Sequence, residues 1–143
     1  MSEESLIVNV VTPEGNRFTH HATSVTVDTV TGPYTVLRNH IAMIVPLKIG
    51  AITVKRDVDG KKVTNLIAAD SGILEVYQNE VNIVVNTAER ARDIDIDRAK
   101  LAKEKAEKII AQNSGRREEA EMKRAEIALS KAINRIGVAS RRK

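Results

Sequence analysis

The stretch Asn-Thr-Ala-Glu-Arg-Ala-Arg-Asp-Ile-Asp-Ile-Asp-Arg-Ala, residues 86–99, joins two halves of the chain that differ in hydrophobic period. Before it, apolar and polar residues alternate as in half-buried strands. After it, apolar residues recur about every 3.6 residues, as in amphipathic helices. This change predicts a domain boundary, with a strand-rich domain over residues 1–86 and a helical domain over residues 87–143.

Three aspartates, Asp93, Asp95 and Asp97, occupy alternate positions in this joint. Asp93 is a candidate N-cap, because a carboxylate there accepts hydrogen bonds from the free amides of the first helical turn. Asp95 and Asp97 would then lie at the positive end of the helix dipole. An acidic helix start and a specific binding site both account for these residues, and the residues alone leave both interpretations open.

Composition limits the classes of protein to consider. The 143 residues suffice for one ordinary domain or two small ones. Apolar residues make up 42% but aromatic residues only 2%, so the core is aliphatic. The chain has no cysteine, and no apolar run approaches the roughly 20 residues that span a bilayer. The acidic start Met-Ser-Glu-Glu-Ser is unlike a signal peptide, so we expect a soluble protein of a reducing compartment.

The positive charge is confined to the second half. Residues 1–87 carry seven Lys/Arg against nine Asp/Glu, net −2, whereas residues 88–143 carry sixteen against ten, net +6. A basic half can bind nucleic acid, acidic protein surfaces or anionic ligands. Nucleic-acid binders usually add aromatic stacking groups, and this half contains none. We therefore rank an acidic protein partner or a phosphate ligand above nucleic acid.

The first half contains two predicted β-hairpins. Asp59-Gly60 separates two strand-like runs, and this dipeptide suits a type I′ turn. A second hairpin turns at residues 78–80. Many short strands without a helical period predict an antiparallel sandwich or flattened barrel. Parallel strands are not expected, because the chain has no room for crossover helices.

Residues 37–50 do not alternate and are too apolar for an ordinary loop. We expect this segment to bury its apolar residues against the sheet or a partner. His40 and the pair His20-His21 have no companions at metal-ligand spacing, so no metal site is predicted. The predicted interface residues are His40, Ile41, Met43, Ile44 and Leu47.

The second half predicts two antiparallel helices joined by the turn Asn113-Ser114-Gly115. The second helix is expected to begin near Arg116 and to end at Gly137. Because alanine buries little area, the hairpin should be marginal alone, either as a plain structural element or as a mobile one. The predicted apolar stripes are Ile94, Leu101, Ala102, Ala106, Ile109 and Ile110 on the first helix, and Ala125, Ala128, Leu129, Ala132, Ile133 and Ile136 on the second.

The sequence offers no catalytic constellation. Neither a GxxxxGK[ST] phosphate loop nor a GxSxG elbow is present. An enzyme is therefore disfavoured. A free-standing adaptor that binds nucleic acid through its basic hairpin remains the alternative among binding proteins.

Three motifs in order carry a family resemblance. They are Leu37-x-x-His40-x-Ala42-x-x-x-Pro46-Leu47-x-x-Gly50, then Ser71-Gly72-Ile73-Leu74-Glu75-Val76 leading into Asn79-x-Val81-x-Ile83, and finally Ile94-Asp95-x-x-Arg98-Ala99. Nearly the whole chain resembles the epsilon subunit of bacterial F-type ATP synthase, which is called delta in mitochondria. It departs from the family at Arg38-Asn39, where Pro-Gly is usual, and at Ser71, where the family often has glycine.

The resemblance implies an α+β fold, with an antiparallel β-sandwich of about ten strands followed by an antiparallel two-helix hairpin. It implies a non-catalytic subunit that binds the gamma subunit and the c-ring in the central stalk. It further implies that the hairpin inhibits ATP hydrolysis by extending between the alpha and beta subunits. The protein would lie peripherally at the cytoplasmic face of the bacterial plasma membrane, attached through the complex, without nucleic acid as a partner.

The resemblance also implies ligand residues. No cofactor is required, but some bacterial members bind ATP as a regulatory ligand. Here that points to Glu89, Ile94, Asp95, Arg98 and Ala99. The basic face that would meet acidic beta-subunit segments comprises Arg116, Arg117, Lys123, Arg124, Lys131 and Arg135.

Overall fold

The computed structural model describes residues 5–112 and 119–141. The chain divides into two compact units, Met1–Arg90 and Ala91–Lys143, and each is considered by itself. The first unit holds the strands β1 Leu6–Thr12, β2 Gly15–Ala22, β3 Ser24–Thr29, β4 Gly32–Leu37, β5 Met43–Leu47, β6 Gly50–Val58, β7 Lys61–Ala69, β8 Gly72–Tyr77, β9 Glu80–Val85 and β10 Ala88–Arg90. The second holds a 3-10 turn, Ala91–Asp93, and the helices α1 Ile96–Gln112 and α2 Glu119–Ser140.

The ten strands form two five-stranded sheets, in the orders β2-β1-β9-β8-β5 and β10-β7-β6-β3-β4. The α+β class, with a sandwich followed by two helices, is confirmed. Both predicted hairpins are present, since β6 pairs with β7 and β8 with β9, each antiparallel. The last strand extends the pairing past Asn86, because Ala88 to Arg90 pair with β7.

One pair of strands differs from the expectation. β1 and β9 are parallel, with Ile7 opposite Glu80 and Val11 opposite Val84. The argument that a parallel pair needs a crossover helix was wrong here. The connection between these strands consists of the other seven strands from β2 to β8, so the rest of the sandwich serves as the crossover.

The core lies between the sheets and is aliphatic, as predicted. Inward positions alternate with outward ones along β1, β3 and β9. Phe18 is 1% exposed and is the one phenylalanine of the chain. The other large, fully buried side chains are Leu6, Ile52, Ile67, Leu74, Ile83, Val8, Val10, Val25, Val27, Val36 and Val54.

The segment predicted as an irregular apolar loop contains the edge strand β5. Its burial alternates, because Met43 and Val45 pack against the core and Leu47 is 7% exposed. The outward positions between them are Ile44 and Pro46. These are also apolar, which hides the period of two in the sequence. Pro46 lacks an amide donor and is tolerated because β5 lies at the edge of its sheet.

The helices match their predicted bounds only in part, since α1 ends at Gln112, directly before the predicted turn, as expected. α1 begins at Ile96, and α2 continues through Gly137 to Ser140. The predicted end at Gly137 was therefore wrong. The predicted turn at residues 113–115, together with the predicted start at Arg116, lies outside the residues that the structure describes.

The seam between α1 and α2 is built mainly of alanines. Buried alanines recur every seven residues along each helix, a heptad spacing. The predicted stripes were wrong in part, because Leu101 is 65% exposed and Ile133 51% exposed. Ala102 and Ala128 are exposed as well. The buried alanines are Ala99, Ala106, Ala125, Ala132 and Ala139.

Candidate functional sites

The start of α1 is organised by Asp95. Its Oδ1 accepts a hydrogen bond from the main-chain N–H of Arg98 at 3.1 Å. Its carbonyl oxygen accepts from the N–H of Ala99 at 3.0 Å, the first hydrogen bond of the helix. Asp95 is thus the N-cap. The expectation that Asp93 caps this helix was wrong, since Asp93 ends the preceding 3-10 turn.

Four of the five predicted nucleotide-binding residues lie together at this helix start. Ile94 is 5% exposed and Ala99 is fully buried, so these two residues anchor the turn by packing. Asp95 and Arg98 are exposed. The carboxylate of Asp95 caps the helix and makes no ion pair with Arg98 in this described segment. The Arg98 guanidinium can therefore meet an anion.

Glu89, the fifth predicted residue, belongs to the strand-rich unit. It is half-buried in the middle of β10, opposite Ala68 of β7. Its side chain points to the face of the sheet opposite to that of its neighbours Ala88 and Arg90, because successive strand residues alternate. Ala88 packs against the core, so Glu89 lies on the outer face of its sheet.

The predicted interface segment is only partly available to a partner. Ile41 is 78% exposed and Ile44 70% exposed. Leu47 is buried in the core, and Met43 is half-buried and packs against the core. Leu47 therefore has little surface for a partner and Met43 only part of its surface, and their assignment to an interface stays a prediction. They face inward because alternation along β5 places every second residue toward the core.

His40 positions the loop that carries Ile41. Its Nδ1 donates a hydrogen bond to the carbonyl oxygen of Ile41 at 2.7 Å. Because that oxygen can only accept, the neutral ring carries its proton on Nδ1. Nε2 then accepts from the Tyr34 hydroxyl at 2.7 Å. With both ring nitrogens bonded, His40 fixes the loop.

Exposed and half-buried apolar residues continue across the outer face of the same sheet. Val11 is opposite Val84 on β9, Val84 is opposite Ile73 on β8, and Ile73 is opposite Pro46 on β5. We call Val11, Val84, Ile73 and Pro46 the apolar row. Sequence reasoning missed it, because it depends on strand order. The alternation of buried residues along β8 and β9 was the available signal.

An open depression of about 500 Å³ adjoins the middle of the apolar row. Ile73 and Val84 belong to both, and Leu47 lies at the base of β5 beside them. The surface beside Ile73 and Val84 is therefore concave as well as apolar. Its remaining lining residues are Thr12, Pro13, Ser71, Gly72, Val85 and Asn86.

The described residues of the predicted basic face lie on α2. Lys123 and Arg124 are exposed, whereas Lys131 and Arg135 are half-buried. Arg116 and Arg117 lie outside the described residues. Within residues 5–112 and 119–141, no three histidine or acidic side chains are grouped to hold a metal ion. Neither of the two helices described is long and apolar enough to cross a membrane.

The described residues thus belong to the class of two-domain proteins that combine a β-sandwich, here of ten strands, with a packed pair of helices. Two family models match the chain consecutively. The β-sandwich domain of the ATP synthase delta/epsilon chain matches residues 5–91, and its long α-helix domain matches residues 92–140. The chain belongs to the ATP synthase delta/epsilon family.

Curated relatives agree over nearly the full length. The ATP synthase epsilon chains of Lacticaseibacillus casei (strain BL23) and Lacticaseibacillus paracasei (strain ATCC 334) are each 42% identical over 140 residues. Each alignment covers 96% of this chain and 97% of the relative.

Solved structures show the same fold. A chain in the Euglena gracilis mitochondrial ATP synthase (OSCP/F1/c-ring, rotational state 1) aligns with a TM-score of 0.74 at 23% identity, covering 91% of this chain and 78% of that one. A chain of the Tetrahymena thermophila mitochondrial ATP synthase central stalk and c-ring aligns with a TM-score of 0.50 at 16% identity. It covers 65% of this chain and 72% of that one.

Proposed function

We propose that this chain is a non-catalytic central-stalk subunit of an F-type ATP synthase, holding the gamma subunit and the c-ring together. Family membership and 42% identity to bacterial epsilon chains support this assignment. The complex would hold it peripherally at the cytoplasmic face of the bacterial plasma membrane. The observation that carries the proposal is the apolar outer face of one sheet.

That face has the character of a protein interface. Ile41 and Ile44 are more than two-thirds exposed, and the apolar row continues from β5 across β8 and β9 to β1. Contiguous exposed apolar patches on a soluble domain mark interaction sites. Aliphatic side chains on a sheet face are also rigid, so little conformational entropy is lost when they are buried. We assign this face to gamma and the c-ring.

Matched substitutions test this assignment. Ile73 on β8 is 40% exposed and Val58 on β6, in the other sheet, is 38% exposed. Ile73→Asp and Ile44→Asp should weaken gamma binding at least tenfold in a pull-down or titration, whereas Val58→Asp should not. Normal gamma binding by folded Ile73→Asp and Ile44→Asp chains would contradict the assignment. Duplex DNA should not bind at about 150 mM salt, where phosphate-driven affinity is weak.

We assign inhibition of ATP hydrolysis to the helices. Their seam of alanines buries little area, so separating α1 from α2 costs less than separating leucine-packed helices. Once extended, the basic face, including Lys123 and Arg124, would meet acidic segments of the beta subunit. Ending the chain after Arg90 should therefore raise ATP hydrolysis of the assembled enzyme while proton coupling is retained. Unchanged hydrolysis would contradict the inhibitory role.

We further propose that ATP is a weak regulatory ligand of the folded hairpin. Arg98 would donate to phosphate oxygens, because a guanidinium presents planar paired donors. Asp95 would accept from the ribose or adenine in addition to capping the helix. A nucleotide bound only to the folded hairpin stabilises it by mass action and so opposes inhibition.

The cap allows the two roles of Asp95 to be separated. Asn caps helices as well as Asp does, so Asp95→Asn should preserve α1 while removing the carboxylate charge. A change in ATP affinity in this variant therefore reports the ligand role of Asp95 and not its capping role. ATP titration followed by NMR should give saturable shifts at Ile94 to Ala99 in the wild type. The shifts should vanish in Arg98→Ala and persist in Lys100→Ala. No saturation up to about 10 mM, beyond the range where binding is worth about −4 kcal/mol, would contradict the site.

A further inference from the structure

Three half-buried residues that can carry positive charge come from the strands β2, β6 and β10. Nη1 of Arg56, on β6, donates a hydrogen bond to Nδ1 of His20 on β2 at 3.4 Å, so the imidazole accepts there. The His20 ring meets the Phe18 ring edge-on at 4.7 Å, and Cζ of Arg90 on β10 lies 5.3 Å from the centre of that ring. Three strands thus place two guanidinium groups and an imidazole around one buried phenylalanine. We call His20, Arg56 and Arg90 the cationic cluster.

Both guanidinium groups are oriented by neutral acceptors. Nε of Arg56 donates to Oδ1 of Asn65 at 2.8 Å. Nη2 of Arg90 donates to the carbonyl oxygen of Arg17 at 3.3 Å. Within the described part of the chain, no carboxylate lies within 4.0 Å of either group. Since a guanidinium has five N–H donors, both can still donate to an additional acceptor.

Among the described residues, no negatively charged side chain pairs with the cationic cluster. Desolvation lowers the pKa of His20 below its ordinary value of 6.5, and the positive charges of Arg56 and Arg90 lower it further. On the other side, β1 presents the buried Val8 opposite His20. The charged groups that face the imidazole from β6 and β10 are therefore both cationic.

Protection of a sheet edge explains these residues only in part. β2 is an edge strand, and inward-pointing charges discourage edge-to-edge pairing. One charge would serve that purpose. It does not require two arginines, each fixed by a neutral acceptor, beside the same imidazole. The positive charges of Arg56 and Arg90 both disfavour protonation of His20, and an anion bound beside these groups would offset that effect.

We propose that the cationic cluster binds a small oxyanion of the phosphate class. Arg56 and Arg90 donate N–H groups to it, and His20 becomes the imidazolium, which ends its acceptance from Arg56 and lets the ring donate to the anion as well. Paired planar donors match the oxygens of such an anion. The site is separate from Glu89, because Glu89 and Arg90 are adjacent on β10 and point to opposite faces of the sheet. It does not depend on the proposed function.

Inorganic phosphate is the probe for this site. The full chain is titrated at constant ionic strength while NMR follows the ring resonances of His20 and Phe18. Saturable shifts at millimolar phosphate are expected. Phosphate should also raise the pKa of His20, because an adjacent anion favours the imidazolium.

Arg56→Gln and Arg90→Gln should each weaken binding at least tenfold, whereas Arg38→Gln, at an exposed arginine of the same unit, should leave it unchanged. Arg56→Lys keeps the charge but loses the planar fork, so an intermediate loss is expected. Circular dichroism verifies that each variant is folded. Shifts that stay linear with phosphate, that chloride reproduces, or that persist in both folded Gln variants would overturn the proposal.

Discussion

Gly72 illustrates how one residue constrains the sandwich. It begins β8 and pairs with Val85 of β9. A Cβ atom at this position would overlap the carbonyl oxygen of Val84 and approach Cα of Val85 to 2.8 Å. The need for glycine therefore comes from close approach of two backbones. The sequence identified Ser71-Gly72 as part of a motif but gave no reason for it.

We expect Gly72→Ala to destabilise the strand-rich unit by about 1–3 kcal/mol, the usual cost of an added group in a packed region. The backbones of β8 and β9 would have to separate locally. Urea unfolding of the purified chain measures this, with Ser71→Ala as the neighbouring control. A Gly72→Ala chain as stable as the wild type would refute this account of the glycine.

Asp95 shows where sequence reasoning at this scale ends. The acidic triplet located the helix start correctly, but the capping residue was misassigned to Asp93. The 3-10 turn Ala91–Asp93 shifts the first helical residue to Ile96. Such a short turn has no hydrophobic period by which it could be predicted from the sequence. The exposed residues of this candidate site were identifiable by resemblance, whereas their hydrogen bonds were not.

At the scale of elements, the helical pair was predicted but its contact surface was not. A period of about 3.6 placed Leu101 and Ala128 on the seam, whereas the structure buries alanines seven residues apart. Over two or three turns, a period of 3.6 residues and a heptad repeat place nearly the same positions on the seam. Because the side chains there are small, the sequence did not distinguish the two patterns. The prediction of an irregular loop in place of β5 was wrong for a related reason. Ile44 and Pro46 are apolar although they face outward, so the alternation of a strand is hidden in the sequence.

Gly137 lies inside α2, and a Cβ atom there would meet no other atom within 4 Å. We expect Gly137→Ala to stabilise the helical pair by about 0.5–1 kcal/mol, the difference in helix propensity. Amide hydrogen exchange along α2 is the measurement. Ala128→Gly, at an exposed position of the same helix, should change protection by a similar amount in the opposite direction. Faster exchange in Gly137→Ala would contradict the prediction.

At the scale of the whole molecule, the unit boundary makes a prediction about independent folding. A chain ending at Arg90 keeps β10, its pairing with β7 and the Arg90 contact on Phe18. A chain ending at Asn86 loses all three. We expect both to unfold cooperatively, with the shorter chain less stable by about 1–2 kcal/mol from lost hydrogen bonds and cation–π contact. The absence of a cooperative transition in either chain would contradict independent folding.

The pH dependence of stability follows from His20. Because its pKa is lowered in the folded state, the unfolded chain takes up this proton first as the pH falls through about 6.5. Stability should therefore be unaffected above that pH and should decrease below it. His20→Gln should remove this part of the slope in phosphate-free buffer, whereas His21→Gln should retain it. Equal slopes for His20→Gln and wild type would contradict the assignment.

Strand content and both hairpins were predictable because they depend on neighbouring residues. Strand order was not predictable, because the pairing of Ile7 with Glu80 and the apolar row depend on contacts distant in sequence. The same holds for the cationic cluster, whose members come from β2, β6 and β10. These surfaces exist only once the two sheets are assembled.

The parallel pairing of β1 with β9 has a consequence during synthesis. β2 follows β1 immediately, so one edge of β1 is paired early, but the other edge waits for β9. At about 5–20 residues per second, the ribosome delivers Glu80 about 4–15 s after its partner Ile7. Until then the nascent chain presents an open strand edge that a neighbouring copy can occupy. The rate of translation, together with final stability, therefore influences how much of the subunit folds correctly.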